Sequence, residues 1–275
     1  MTFFDNFQTV HLIAAHRGFR AYHPENTLSA FKASVGRCHF IELDIQMSKD
    51  FVPVVFHDAT LERTSNAKDQ SGHLGLRSLN VSDWTLSQMR TLDIGSWFLH
   101  TDPFGTLQRH ETSAERLQKE LPLRIMTLEE VLCHPALRKM PFNVEIKDHR
   151  GKQQNKQVTE YVLDVIGRTN AAARVLISSF NHDYLVIAKD IAPAISTAAL
   201  QHRTHPKNLV EYLKSLRVAA YHPADDITDA SLIRKLRAAG LGVNVYTVNS
   251  TTRQRQLFAM GATAVITDFP ELLES

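Results

Sequence analysis

Short apolar runs and amphipathic stretches take turns along this chain. In its second half, residues 174–180 (RVLISSF), 195–200 (ISTAAL), 218–222 (VAAYH), 243–248 (VNVYTV) and 264–267 (AVIT) are almost continuously hydrophobic. That pattern predicts parallel strands buried on both faces, because a half-wet strand would alternate. Helical stripes lie between them. Val158, Tyr161, Val162, Val165 and Ile166 recur at i, i+3, i+4, i+7 and i+8, the spacing of one helix face. Thr228 is placed to cap a helix whose apolar face holds Leu232, Ile233 and Leu236 and which stops at Gly240. Residues 250–260, closed by Gly261, repeat the pattern.

The first half adds three strands. Residues 11–15 lead into His16-Arg17-Gly18. Residues 40–46 (FIELDIQ) follow a helix carrying Leu28, Phe31 and Val35. Residues 142–147 (FNVEIK) follow a helix opened by Thr127-Leu128-Glu129-Glu130, a capping box. The count is eight βα units, which predicts a closed (β/α)8 TIM barrel in one domain over residues 1–275. A further run, residues 53–57 (PVVFH), follows too closely for a helical crossover, so it forms an antiparallel β-hairpin with the second strand. A turn at Asp50-Phe51 would set His57 opposite Asp44. From 58 to 126 the alternation breaks down into polar sequence with Trp84 and Trp97 embedded. A connection of that length predicts a small subdomain inserted after the second strand, capping the active face.

Composition narrows the function classes. The chain has 275 residues, 43% hydrophobic and 22% charged, with 11 Gly and 10 Pro, which excludes fibrous and disordered classes. Lys and Arg exceed Asp and Glu by 31 to 29, a net charge of +2, too even for a nucleic-acid binder. The longest nearly apolar stretch, residues 191–200, contains Pro193 and falls far short of a membrane span. The first residues carry no basic segment ahead of an apolar one, so the expected location is cytoplasmic. Cys38 and Cys133 form no C-x-x-C pair and read as reduced thiols.

Barrel chemistry sits at the C-terminal ends of the strands. Those ends carry His16 and Arg17, Glu42 and Asp44, His57 and Asp58, and Glu145 and Lys147. Both i, i+2 pairs put their two members on one side of a strand. Buried carboxylates need compensation, and two forms are open. Arg17 and Lys147 can pair with the three acids and do nothing more. Alternatively, Glu42, Asp44 and Glu145 bind a hard divalent cation, Mg²⁺ or Ca²⁺, and the two basic groups wait for an anion.

These residues, in this order, resemble a known signature. His16-Arg17-Gly18, Pro24-Glu25-Asn26-Thr27, Glu42-Leu43-Asp44, Val54-Val55-Phe56-His57-Asp58 and Glu145-Ile146-Lys147 are similar to the motifs of the glycerophosphodiester phosphodiesterases. Ser178-Ser179-Phe180, Tyr246-Thr247-Val248-Asn249 and Thr267-Asp268-Phe269-Pro270 match that family's later strand ends. The resemblance implies a barrel with an insertion after the second strand. It implies one divalent cation on Glu42, Asp44 and Glu145, phosphate binding by Arg17 and Lys147, and His16 and His57 as the acid–base pair. The implied reaction is hydrolysis of small-molecule glycerophosphodiesters to sn-glycerol 3-phosphate and an alcohol. His57 is the expected leaving-group acid, and either water or the glycerol 2-hydroxyl serves as nucleophile. Tyr246 is expected to line the alcohol pocket or to be a core aromatic with a tethered hydroxyl. His73, in the insertion, is a further candidate for substrate contact. His100, His110, His134, His149, His202 and His205 are expected to be solvated.

Three other readings remain. A lysophospholipase-D-like activity on lipids needs an apolar access route, which no stretch outside residues 58–126 supplies. A non-catalytic phosphodiester-binding barrel predicts a gap in the set of seven charged and histidine positions, and there is none. A sugar hydrolase needs only two carboxylates and leaves Arg17 and Lys147 without a purpose. Phe51 stands in the hairpin turn where the family usually has glycine, which predicts a different turn type.

Overall fold

A computed structural model describes residues 2–9, 11–149 and 152–271. Its strands are β1 (Leu12–His16), β2 (Phe40–Met47), β3 (Pro53–Val55), β4 (Phe142–Ile146), β5 (Val175–Ser179), β6 (Ser196–Gln201), β7 (Ala220–Pro223), β8 (Gly242–Val245) and β9 (Ala264–Thr267). All but β3 are parallel, and β1 pairs with both β9 and β2, closing a ring of eight. The barrel and its edge hairpin are therefore as the pattern predicts.

Outer helices are α1 (Leu28–Ser34), then, beyond the inserted segment, α6 (Leu128–Cys133), α7 (Lys152–Arg168), α8 (His182–Ile191), α9 (Leu209–Ser215), α10 (Ala230–Ala238) and α11 (Thr251–Ala259). Their apolar faces and the outward faces of the strands share one core that includes Phe31, Val131, Val162, Leu185, Leu213, Ile233 and Leu257. The capping box at Thr127 forms as expected. The cap of α10 is Asp229, whose carboxylate accepts from Leu232 N at 2.7 Å. Thr228 instead closes the preceding 3-10 turn by donating its hydroxyl to Ala224 O. Val35 and Tyr161 depart from the predicted stripes. Val35 is the extended C-cap of α1 and is exposed, and Tyr161 lies outward against Phe51.

The interior fills in layers, four side chains from alternate strands each. Following the parallel register around the ring, Phe40, Leu176, Ala220 and Ala264 form an apolar layer near the N-terminal end. Ala14, Asn143, Ala198 and Asn244 come next, then Glu42, Ser178, His222 and Ile266, then His16, Glu145, Leu200 and Tyr246. Phe3, in a 3-10 turn ahead of β1, plugs the floor against Phe40 and donates its N–H to Ser196 Oγ.

The hairpin register differs from the expected one by a residue. Ile45 faces Val55 and Met47 faces Pro53, so Ser48 faces Val52 across a loop of three residues that ends on Phe51 at φ 58°. Three-residue hairpin loops finish on a left-handed residue, and Phe51 takes that role. No glycine is used there. Phe56, not His57, lies opposite Asp44, with Phe56 N donating to Asp44 O at 3.0 Å.

Residues 58–126 contain α2 (Ala67–His73), α3 (Leu86–Met89), α4 (Ser96–Thr101) and α5 (Ala114–Gln118). A second apolar cluster, built around buried Trp84 with Phe56, Leu61, Met89, Leu92 and Ile125, holds this segment to β3. Among the described residues no helix is long and apolar enough to cross a membrane.

Candidate active site

The exit from β1 is a tight turn in which Arg17 (φ 55°) and Gly18 (φ 83°) are both left-handed. A methyl group on Gly18 would lie 2.8 Å from the carbonyl carbon and Cβ of Ala30, so α1 packs on the turn at a distance only glycine allows. This turn aims the Arg17 N–H at Glu42 Oε2, 2.9 Å away. Asn26, left-handed as well, donates its side-chain amide to Asp44 Oδ2 at 2.8 Å.

Glu42, Asp44 and Glu145 converge at the C-terminal mouth, each offering an oxygen within 4.8 Å of the other two. Asp44 and Glu145 are register partners on β2 and β4, and Glu42 shares a face of β2 with Asp44. Lys147 bonds to Asp44 Oδ1 at 2.7 Å and also to Glu145. Arg17 pairs with Glu25 at 2.8 Å and lies 3.3 Å from Asp44. Burial opposes the charge of Asp44, but Lys147, His57 and Arg17 hold it well below the usual carboxylate range. Glu42 goes the other way. Burial, then the charges of Asp44 and Glu145, push it well above that range.

Two histidines stand on this rim, each braced at Nδ1 by an aspartate. His16 lies 2.7 Å from Asp268 Oδ1, and His57 bonds to Asp58. Burial, reinforced by Arg17, pushes His16 down to about 4, so the ring is neutral at neutral pH and gives its Nδ1–H to Asp268. Its Nε2 then carries a lone pair. Each aspartate is held in turn by an arginine, Asp268 by Arg20 at 3.1 Å and Asp58 by Arg63 at 2.6 Å. Both arginines, with Arg17, meet on buried Glu25. Burial opposes the Glu25 charge, yet these three guanidinium groups hold it down at about 2.

Sequence reasoning assigned no role to Glu25, Asn26, Asp58 or Asp268, although they stand inside the quoted motifs, and did not single out Arg20. Arg63 carried no signal at all, because it arrives from the irregular segment after β3. Tyr246 is half-buried and donates its hydroxyl to Gln201 O at 3.0 Å, the tethered arrangement, with Phe180 packed against its ring. His73 is exposed at the end of α2. Three histidines expected to be solvated are partly buried, His134 at the end of α6 among them. His205 bridges Tyr221 Oη and Ile227 O at 2.9 Å each, and His149 is half-buried, with burial lowering its pKa.

Ion pairing alone leaves this mouth unbalanced. Six carboxylates (Glu25, Glu42, Asp44, Asp58, Glu145, Asp268) meet four basic side chains (Arg17, Arg20, Arg63, Lys147), so the acids outnumber the bases by two. Three convergent carboxylates of this kind are the oxygen-donor set that suits a hard divalent cation.

Comparison with known proteins identifies the family. The sequence profile of the glycerophosphoryl diester phosphodiesterase family matches residues 16–272. A glycerophosphodiester phosphodiesterase of Caldanaerobacter subterraneus is 32% identical over 266 residues, covering 95% of this chain and 96% of the relative. One from Bacillus subtilis is 29% identical over 270 residues, covering 95% and 84%. A phosphodiesterase structure from Oleispira antarctica, in complex with the product sn-glycerol-3-phosphate, superposes with a TM-score of 0.75 at 25% identity, covering 94% and 93%. The chain belongs to the glycerophosphoryl diester phosphodiesterase family.

Proposed function

We propose that this protein hydrolyses glycerophosphodiesters to sn-glycerol 3-phosphate and an alcohol, with one divalent cation, Mg²⁺ or Ca²⁺, held by Glu42, Asp44 and Glu145. The observation that carries the reading is the joint presence, at one barrel mouth, of a convergent carboxylate triad and two aspartate-braced histidines. When bound, the cation would withdraw negative charge from the phosphodiester. Arg17 and Lys147 bind the phosphate oxygens. Opposite charges 4 Å apart are worth roughly 4 kcal/mol at an effective dielectric of about 20, so these contacts lower the repulsion felt by an incoming nucleophile.

His16 is the general base. Its Nε2 lone pair takes the proton of the nucleophile, water or the glycerol 2-hydroxyl, while Asp268 stabilises the imidazolium that results. His57, protonated and backed by Asp58, gives its proton to the departing alkoxide. Tyr246 and Phe180 line the alcohol side. Residues 58–126 act as a cap. Arg63 joins this segment to Glu25, and Thr106 joins it to Ala21 by donating its hydroxyl to the carbonyl at 2.7 Å.

The test is glycerol 3-phosphate release from glycerophosphocholine and glycerophosphoethanolamine with Mg²⁺ or Ca²⁺, repeated after chelation. Release that disappears with chelator and returns with one ion is the expected result. Absence of release with either ion, from folded protein, overturns the proposal.

A further inference from the structure

The barrel interior contains polar groups that this chemistry does not use. Asn143, Ser178, His222 and Asn244 are each 1% exposed or less. By register they occupy two adjacent layers, Asn143 and Asn244 beside Ala14 and Ala198, and Ser178 and His222 beside Glu42 and Ile266. Only one bond joins them. Asn244 Nδ2 donates to His222 Nε2 at 2.8 Å, which leaves the imidazole proton on Nδ1. Burial pushes His222 down to about 3, so the ring is neutral. Asn143 Oδ1, Ser178 Oγ, His222 Nδ1 and Asn244 Oδ1 have no protein partner.

Four such atoms in two neighbouring layers are a pattern, because buried polar groups are almost always hydrogen-bonded and orphaned ones are strongly disfavoured. The set contains one N–H donor, two amide oxygens and a hydroxyl that serves either way. The other two side chains of the lower layer, Ala14 and Ala198, are small. We propose that these two layers form a binding site for buried water molecules directly beneath the acid triad. Water fits this set better than a cation does, because it accepts from His222 Nδ1–H and donates to the amide oxygens, and because the four groups are uncharged. Buried waters typically make about three bonds to such groups. The site borders Glu42, the register partner of Asn143, so the waters form a polar floor under the carboxylates. It does not depend on which phosphodiester is cleaved.

A crystal structure of the intact protein that resolves ordered solvent tests this, together with melting curves of Ser178→Ala. The expected result is water within hydrogen-bonding distance of at least three of the four atoms. Ser178→Ala, which removes one partner with little change in volume, should lose a water and melt a few degrees lower. A dry interior overturns the proposal, and in that case Ser178→Ala melts higher because it removes an unsatisfied group. Should Ser178→Ala fail to fold, the wild-type structure decides the matter.

Discussion

At φ 58° Phe51 brings its Cβ against the next carbonyl, at a cost of about 1–2 kcal/mol. The hairpin demands that conformation at this position, and the chain meets the demand without glycine. Its ring lies stacked on Tyr161 of α7, centroids 5.8 Å apart and planes 19° from parallel, a contact worth about 1 kcal/mol. Strain and stacking therefore roughly offset each other. In a Tyr161→Ala background, Phe51→Gly should raise stability by about 1 kcal/mol, whereas in the wild-type background its effect should be near zero. Urea denaturation of the four proteins in the cycle measures this. A destabilising Phe51→Gly in both backgrounds would show that the turn is unstrained. No pattern of apolar positions reveals such a pair, because the two residues stand 110 positions apart (161 − 51).

Among the elements, the strands were the most legible, and for a clear reason. A strand buried on both faces leaves an unbroken apolar run, and charges inside it, as in FIELDIQ and FNVEIK, stand out against that background. The ends of helices were harder to read. Asp229 and Thr228 are both good caps, and only the 3-10 turn before them decides which hydroxyl or carboxylate is free. The hairpin slipped by a residue because its loop length depends on one backbone angle. The segment after β3 was legible only as an interruption, since its small cluster around Trp84 joins residues scattered from Val54 to Ile125. That segment delivers Arg63, whose side chain holds Asp58 and Glu25. Arg63→Ala should free Asp58 to turn away from His57 and lower kcat about 10- to 100-fold, with divalent-cation affinity unchanged. Arg63→Lys should restore only part of the loss, since it cannot bridge both acids at once. Steady-state kinetics with a parallel cation titration reads this, and an unchanged kcat for Arg63→Ala would remove the clasp from the mechanism.

For the molecule as a whole, buried histidines set the acid limit. Folded His16 titrates at about 4 and His222 at about 3, against an ordinary 6.5. Between those values the unfolded chain binds protons that the folded chain refuses, so stability falls as pH drops below 6.5. Glu25, at about 2 when folded and 4.5 ordinarily, adds a contribution present above 4.5 and lost as pH falls through 2. The urea midpoint should hold steady from pH 8 to about 7 and decline well before the carboxylates titrate. A midpoint flat down to pH 5 would contradict the burial of these rings. The site itself is a long-range object. His16 leaves the first strand and Asp268 follows the last, 252 residues apart (268 − 16) and joined by one hydrogen bond. Contacts so distant in sequence form late. During synthesis His16 emerges early and remains without its brace until nearly the whole chain has been made. In refolding, return of turnover would report closure of the ring rather than collapse of the core, so a chain cut before β9 could hold much helix and sheet and still leave His16 without Asp268.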